Sequence, residues 1–235
     1  MTVALRGDWA IEERGGTARV LHEPWPEPAR RSRRTVALCS VSDRAVVLGS
    51  TQPSDVVDGR RAAGAGVDVV HRRSGGGAVL VAPGAQVWLD AWIPRDDALW
   101  DDDVLRSSWW LGETWLRALL ALGAADLEVH RGRVATGPWS SLVCFAAVGP
   151  GEVTAGAAKL VGVAQRRDRH GARLHSMAPL RWRPADLVAL LRTPTSVYDD
   201  ELGAAAVGLC DVLPSLDETG SELRRVVDAL VAALP

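Results

Sequence analysis

Lysine is almost missing from this chain: of 27 basic residues, Lys159 alone is lysine and the rest are arginine. An Ala-, Arg-, Gly- and Val-rich composition accounts for that bias everywhere except at Lys159 itself. There, a compact ammonium in place of a planar guanidinium is either a chance survivor or a chemical requirement, because the two groups differ in hydration, reach and proton affinity. Cysteine is scarce too. Cys39, Cys144 and Cys210 are odd in number, widely spaced and without a CxxC pair, which speaks against a disulfide framework and against a zinc site. Neither sign of charge is in excess, and a formal net charge of −2 gives no global attraction to nucleic acid or membrane. The cluster Arg30, Arg31, Arg33 and Arg34 reads as a solvated surface segment. No apolar run approaches the ~18–20 residues of a membrane span. The early acidic residues Asp8, Glu12 and Glu13 have no apolar stretch behind them, so no signal peptide is expected and the chain reads as cytoplasmic. A GxxxxGK[ST] phosphate loop, a GxSxG elbow and metal-ligand spacing are all absent, and "GAG" at Gly64–Gly66 lacks the third glycine of a dinucleotide fingerprint.

What is present is enough for a sizeable core. At 235 residues and 47% hydrophobic, the sequence reads as a single domain over 1–235. Its N-terminal segment 1–34 is irregular, with an initial strand or two. The residues after Arg192 suffice for a loop and one helix, so no separate C-terminal accessory domain is expected. "TVALCSV", "RAVVLGS", "DLEVHRG", "SSLVCFAAV", "EVTAGAAKLVGVAQRR" and "ARLHSMAPL" are strand-like. "DVVHRR" and "AVLVA" read as a hairpin around the glycines between them, with "QVWLDAWIP" following. Helical spacing appears from Asp101 to a stop at Gly123, in "RPADLVALLRTP", in a short piece from Ser54 to Gly64, and after Ser221. Runs of strands with a few interleaved helices predict an α+β fold with largely antiparallel sheets and flanking helices.

The stretch "VVHRRSGGGAVLVAPGAQVWLDAW" (Val69–Trp92) places three glycines directly behind two arginines. Glycine inside a strand costs roughly 0.5–1 kcal/mol relative to alanine. Three in a row therefore imply a turn, or bare backbone on which a ligand's carboxylate, phosphate or acyl chain lies.

"RRSGGGAV" (Arg72–Val79), followed by "KLVGVAQRR" (Lys159–Arg167) and then His175, with "VVLGSTQ" (Val46–Gln52) upstream, resembles the lipoate-protein ligase family, related to octanoyltransferases and biotin-protein ligases. The resemblance runs from about Val46 to Leu191. It implies a catalytic domain in which Ser74, Gly75, Gly76, Gly77 and Ala78 line an acyl pocket and Gly162, Val163 and Ala164 form a wall. Lys159 would hold the carboxyl end of the acyl group. Alternation lets only one of Arg72 and Arg73 face the pocket, and the family pattern favours Arg73 as the group on phosphate oxygens. His175 would bond a polar ligand group or be structural.

The implied activity is attachment of lipoate or octanoate to a lysine of a lipoyl acceptor domain, from 2-oxoacid dehydrogenase or glycine cleavage proteins. The route would be an acyl-adenylate made with ATP and Mg, with or without a separate accessory subunit. Two alternatives stay open. Cys144 lies in a "CF" segment upstream of the lysine, similar to that of octanoyltransferases with a nucleophilic cysteine, and would carry octanoyl from acyl carrier protein as a thioester; it is otherwise an ordinary buried strand cysteine. The chain is also compatible with a non-catalytic acyl-binding relative: Leu80–Ala85 replace the family's His-Asp pair, and Ser176 and Met177 follow His175.

Overall fold

The computed structural model describes residues 3–25, 32–193, 200–213, 215–216 and 220–235. Its strands are β1 (Val3–Arg6), β2 (Trp9–Gly16), β3 (Thr35–Val41), β4 (Ala45–Leu48), β5 (Asp68–His71), β6 (Val79–Val81), β7 (Gln86–Pro94), β8 (Leu127–Val129), β9 (Ala135–Thr136), β10 (Ala147–Val148), β11 (Val153–Ala155), β12 (Ala158–Arg167) and β13 (Gly171–Pro179). The helices are α1 (Ala18–His22), α2 (Gly59–Gly64), α3 (Trp109–Ala121), α4 (Pro184–Val188), α5 (Asp200–Ala204), α6 (Leu209–Val212) and α7 (Gly220–Ala232). The main sheet runs β1-β2-β3-β7-β13-β12-β11-β8 and is antiparallel except between β2 and β3. A smaller sheet, β5-β4-β6, and the β9/β10 pair complete the set. The expected mixture of mainly antiparallel sheet with flanking helices is what forms.

Alternation along β7 explains the layering. Val87, Leu89, Ala91 and Ile93 join the core beneath α3 and α7, with Leu111, Trp115, Leu119, Val226 and Leu230. Trp88 and Trp92 point the other way, into a second core shared with Ala45, Val47, Val70 and Val81 of the small sheet. Both faces of β7 are thus covered, as its near-continuous apolar run requires. Helix α3 ends just before Gly123, whose φ of +97° is the left-handed stop that glycine supplies.

Several local expectations change. "DVVHRR" and "AVLVA" do not form a hairpin: β5 and β6 both pair with β4, which lies between them. "EVTAGAAKLVGVAQRR" folds back at Gly156 into β11 and β12 instead of continuing as one strand. The Asp101–Gly123 helix starts only at Trp109, because Asp101 and Asp103 accept hydrogen bonds from the backbone N–H groups of Asp103 and Leu105 and close turns. The Ser54 piece splits into a short turn and α2, capped by Asp58 instead of Ser54. Arg34 is no solvated group, since its Nε lies 2.8 Å from both Asp97 oxygens; Arg30 and Arg31 fall outside the described residues.

On the small-sheet side of the main sheet, cross-strand neighbours fall into three rows. Cys39, Trp88, Met177 and Gly162 make the first; Ala37, Asp90, His175 and Ala164 the second; Thr35, Trp92, Arg173 and Arg166 the third. Residues opposite one another share a face, so this register determines what any space above the sheet can touch. Asp90, fully buried, is the polar centre of the rows. It accepts from Trp88 Nε1 at 2.7 Å, from His175 Nδ1 at 2.6 Å and from Arg173 Nη2 at 2.6 Å. Burial opposes its ionisation, but His175 and Arg173 more than compensate and hold the carboxyl below its usual range.

His22, at the end of α1, stands against this group, its ring 5.4 Å from His175 and 4.9 Å from Trp88. Burial, reinforced by His175, lowers its pKa from 6.5 to about 3. Between those values the unfolded chain binds a proton that the folded chain refuses, so folding stability falls as pH drops through that window. Urea unfolding is expected to show a decline from about pH 7 to about pH 4 that His22→Phe flattens, while Asp90 stays ionised there. An unchanged decline in His22→Phe would contradict this assignment.

Candidate functional site

The glycine segment is the loop from β5 to β6, and it is held from inside. Arg72, buried, donates to the carbonyls of Gly75 (2.7 Å), Gly77 (2.9 Å) and Val47 (3.3 Å). Gly76 has φ +99°, and a Cβ there would lie 2.8 Å from Arg72 Nη2. Gly77 is required by close approach: a Cβ would fall 2.6–2.7 Å from the backbone of Val143 and Cys144. That approach makes a seam, in which Ala78 N–H donates to Leu142 O (2.7 Å) and Cys144 N–H donates to Ala78 O (2.9 Å). At Gly75 a Cβ would meet open space. Two of the three glycines therefore serve the protein's own packing, and Gly75 is the one with room beside it.

Beyond the seam, residues Cys144–Ala146 form a single 3-10 turn, not the strand read from "SSLVCFAAV". The turn brings the Cys144 thiol 3.9 Å from Arg72 Nη2 and its carbonyl 3.1 Å from Lys159 Nζ. Lys159, near the start of β12, is almost wholly buried. Its ammonium also donates to Ala147 O at 3.0 Å and pairs with Glu152 Oε1 at 2.8 Å, and its Nζ lies 5.0 Å from the Phe145 ring centre. Three acceptors for three N–H bonds is a set that a planar guanidinium does not match. Glu152 is itself fixed by Gly149 N–H (2.6 Å) and Val163 N–H (2.9 Å). The lysine backbone is clamped as well: its N–H donates to Ala205 O and its carbonyl accepts from Val207 N–H, both at 2.9 Å.

Two spaces meet at Cys144, Val163 and Ala164. One is a cavity of about 360 Å³ walled by Lys159, Glu152, Gly75–Gly77, Ser108, Ser140 and Gln165. The other is a narrow apolar slot of about 60 Å³, with Trp88, Met177, Gly162 and His175 on the main sheet and Val47, Val79 and Phe145 facing them. Gly162 lines the slot beside Lys159 and Phe145, and a Cβ there would make ordinary contacts with Lys159 Cε and Phe145 Cζ at 3.4 and 3.5 Å.

The glycine loop and Lys159 thus belong to different sheets and come together across the larger cavity. Arg73 is placed elsewhere: it is exposed and borders neither space, whereas Arg72 borders the slot. Ser74 and Ala78 are buried behind the loop and line neither of the two.

Comparison with known families settles the relationship. The model of the lipoyl protein ligase A/B catalytic domain matches residues 25–229. This chain belongs to that family. No curated protein sequence matches it. Among solved structures, the lipoyl ligase fold recurs in a Thermoplasma acidophilum protein assigned as a lipoate protein ligase, with lipoic acid bound (TM-score 0.69, 19% identity, covering 98% of this chain and 86% of that one). It recurs in the bipartite lipoate protein ligase of the T. acidophilum lipoylation system with its E2 lipoyl domain (0.66, 18%, 95% and 84%). A lipoate-protein ligase A bound with ATP is also similar (0.63, 19%, 87% and 74%).

Sequence reading missed Glu152 and Phe145 as parts of this candidate site and preferred Arg73 to Arg72. A signal for Glu152 existed: had the turn at Gly156 been recognised, the hairpin would have placed "GEV" across from the lysine strand.

Two outcomes follow from the geometry. Glu152→Gln leaves a buried ammonium without its counter-charge and should lower unfolding free energy by about 3–5 kcal/mol, much of it restored when Lys159→Met is added. In urea titrations Gly77→Ala should cost about 1–3 kcal/mol through backbone overlap, while Gly75→Ala stays within about 0.5 kcal/mol of the parent. Equal losses at the two glycines would refute the packing role assigned to Gly77.

Proposed function

We propose that this protein transfers a medium-chain acyl group, lipoyl or octanoyl, to a lysine amine of a lipoyl acceptor domain, with the whole chain working as one catalytic unit in the cytoplasm. The observation that carries this reading is the junction at Cys144, Val163 and Ala164, where an apolar slot for the chain meets a larger cavity with Lys159 and Glu152 in its wall. An acyl carbonyl at that junction would lie beside a fixed ammonium, which favours the negative charge developing on oxygen as an amine attacks. Family membership supports the reaction class, and the bipartite T. acidophilum relative supports an accessory polypeptide and an E2 lipoyl domain as partners.

The carboxylate would be activated with ATP as an acyl-adenylate. The larger cavity suits a nucleotide in kind: the backbone of Gly75–Gly77 and the hydroxyl of Thr136 would hold phosphate and sugar oxygens, and Lys159 would offset phosphate charge. Glu152 is the one carboxylate among its described lining residues and is already paired, so magnesium would arrive on the phosphates.

A second route has its own support. The thiol of Cys144 lies at the junction itself, 3.9 Å from the Arg72 guanidinium. As a thiolate it would take octanoyl from an acyl carrier thioester, releasing the carrier thiol. The acceptor lysine amine would then displace the cysteine, forming the amide and regenerating the thiol.

Mass spectrometry of an acceptor domain incubated with the protein should show acylation, reduced about 10²–10³-fold in Lys159→Arg. If transfer runs through the adenylate, Cys144→Ser leaves ATP-dependent acylation nearly unchanged and pyrophosphate exchange requires the free acid. A hydroxylamine-labile adduct on the intact protein, formed from octanoyl-acyl carrier protein without nucleotide, would replace that route with the thioester. No acylation from either donor would defeat the enzymatic reading and leave acyl binding.

A further inference from the structure

Arg73 and the paired imidazoles of His22 and His175 are not absorbed by the Lys159 cavity. They meet in a third cavity, of about 90 Å³, on the other side of the slot. Its lining includes the buried residues Trp25, Trp92 and Arg173. Arg73 and Arg166, both exposed, border it. His22 and His175 line this cavity and the apolar slot alike, so the two spaces share them as a common wall.

The sheet register prepares this change of character. Going from row to row across the floor, Trp88, Met177 and Gly162 give way to Asp90, His175 and Ala164, and then to Trp92, Arg173 and Arg166. Hydrocarbon surface passes through a hydrogen-bonded row into a cationic one.

Among the described residues, three arginines and one carboxylate, Asp168, line the third cavity. Arg173 is neutralised by Asp90 at 2.6 Å. Asp168, also in the lining, accepts the backbone N–H groups of His170 and Gly171 through Oδ1 and so holds its own turn. Arg73 and Arg166 have no hydrogen-bond or ion-pair partner among the described residues. In the shared wall, His22 Nδ1 is buried without a hydrogen-bond partner. A hydrocarbon terminus reaching that wall would leave the nitrogen unpaired, whereas an oxygen-bearing terminus would satisfy it. Guanidinium groups beyond it suit a carboxylate, which accepts charge-assisted hydrogen bonds.

Building on the reading of the slot as an acyl site, we infer that it accepts a medium-chain acyl group whose far end carries a carboxylate, held by Arg73, Arg166 and His22. The cavity that Arg73 borders in the structure is then the recognition site for that far end, remote from the reacting carbonyl. Its alternative occupant is a free anion unconnected to the acyl chain, which the same arginines would attract.

Calorimetric titration of the full chain with octanoate, octanedioate and inorganic phosphate distinguishes these, in the parent and in Arg73→Gln/Arg166→Gln, whose sites are exposed. Octanedioate should bind the parent more tightly than octanoate does, and the double substitution should weaken octanedioate by about tenfold or more while changing octanoate by less than about twofold. Octanoate binding with no gain for octanedioate, or a gain that survives the double substitution, overturns the inference and leaves the acyl slot standing. Arginine-dependent phosphate binding without arginine-dependent octanedioate binding assigns the cavity to a free anion and overturns it too. If neither carboxylic acid binds the parent, the acyl reading of the slot itself fails and takes the inference with it.

Discussion

The seam between the glycine loop and residues 142–144 is the contact on which the site depends. Two backbone hydrogen bonds join Ala78 to Leu142 and Cys144, and they can form only because Gly77 lets the two backbones approach. Through that seam the small sheet is tied to the turn carrying Cys144, and through the Cys144 carbonyl the turn is tied to the Lys159 ammonium. Each link is backbone or buried charge, so the junction of slot and cavity inherits the rigidity of both sheets. The ammonium is thereby held in one place, with all three of its N–H bonds directed at fixed acceptors.

The pairing of Lys159 with Glu152 gives the site a near-neutral charge before substrate arrives. A buried ammonium in an apolar fold would be costly alone, and the carboxylate makes it tolerable. Because Glu152 also binds the N–H of Val163, the counter-charge is anchored to the strand that walls the slot. The lysine ammonium and the strand that walls the slot are therefore tied to one carboxylate. The segment around Ala205–Val207 adds a clamp on the lysine backbone, which gives the C-terminal part of the chain a role in shaping the site.

Much of this was legible before any coordinates. Lys159 stands out because every other basic residue is arginine, and its three acceptors supply a physical reason for an ammonium there. The glycine triplet marked the loop, although the close approach that explains Gly77 comes from the protein's own backbone and not from a ligand. Alternation along β7 and β13 was readable as strand pattern. The choice between Arg72 and Arg73 was not, because the loop leaves β-geometry at that point and period-two reasoning fails where the strand ends.

By itself the sequence determined the α+β class, the strand-rich pattern and the identity of the residues able to do chemistry, since periodicity and residue type are local properties. Which of them meet was decided by tertiary structure. Glu152 reaches Lys159 through a hairpin turn, Asp90 gathers Trp88, His175 and Arg173 through strand register, and Cys144 reaches Arg72 through a seam between separate sheets. Contacts between residues distant in the chain depend on the order in which strands assemble and on register, and a one-residue slip would turn every side chain of a strand to the opposite face.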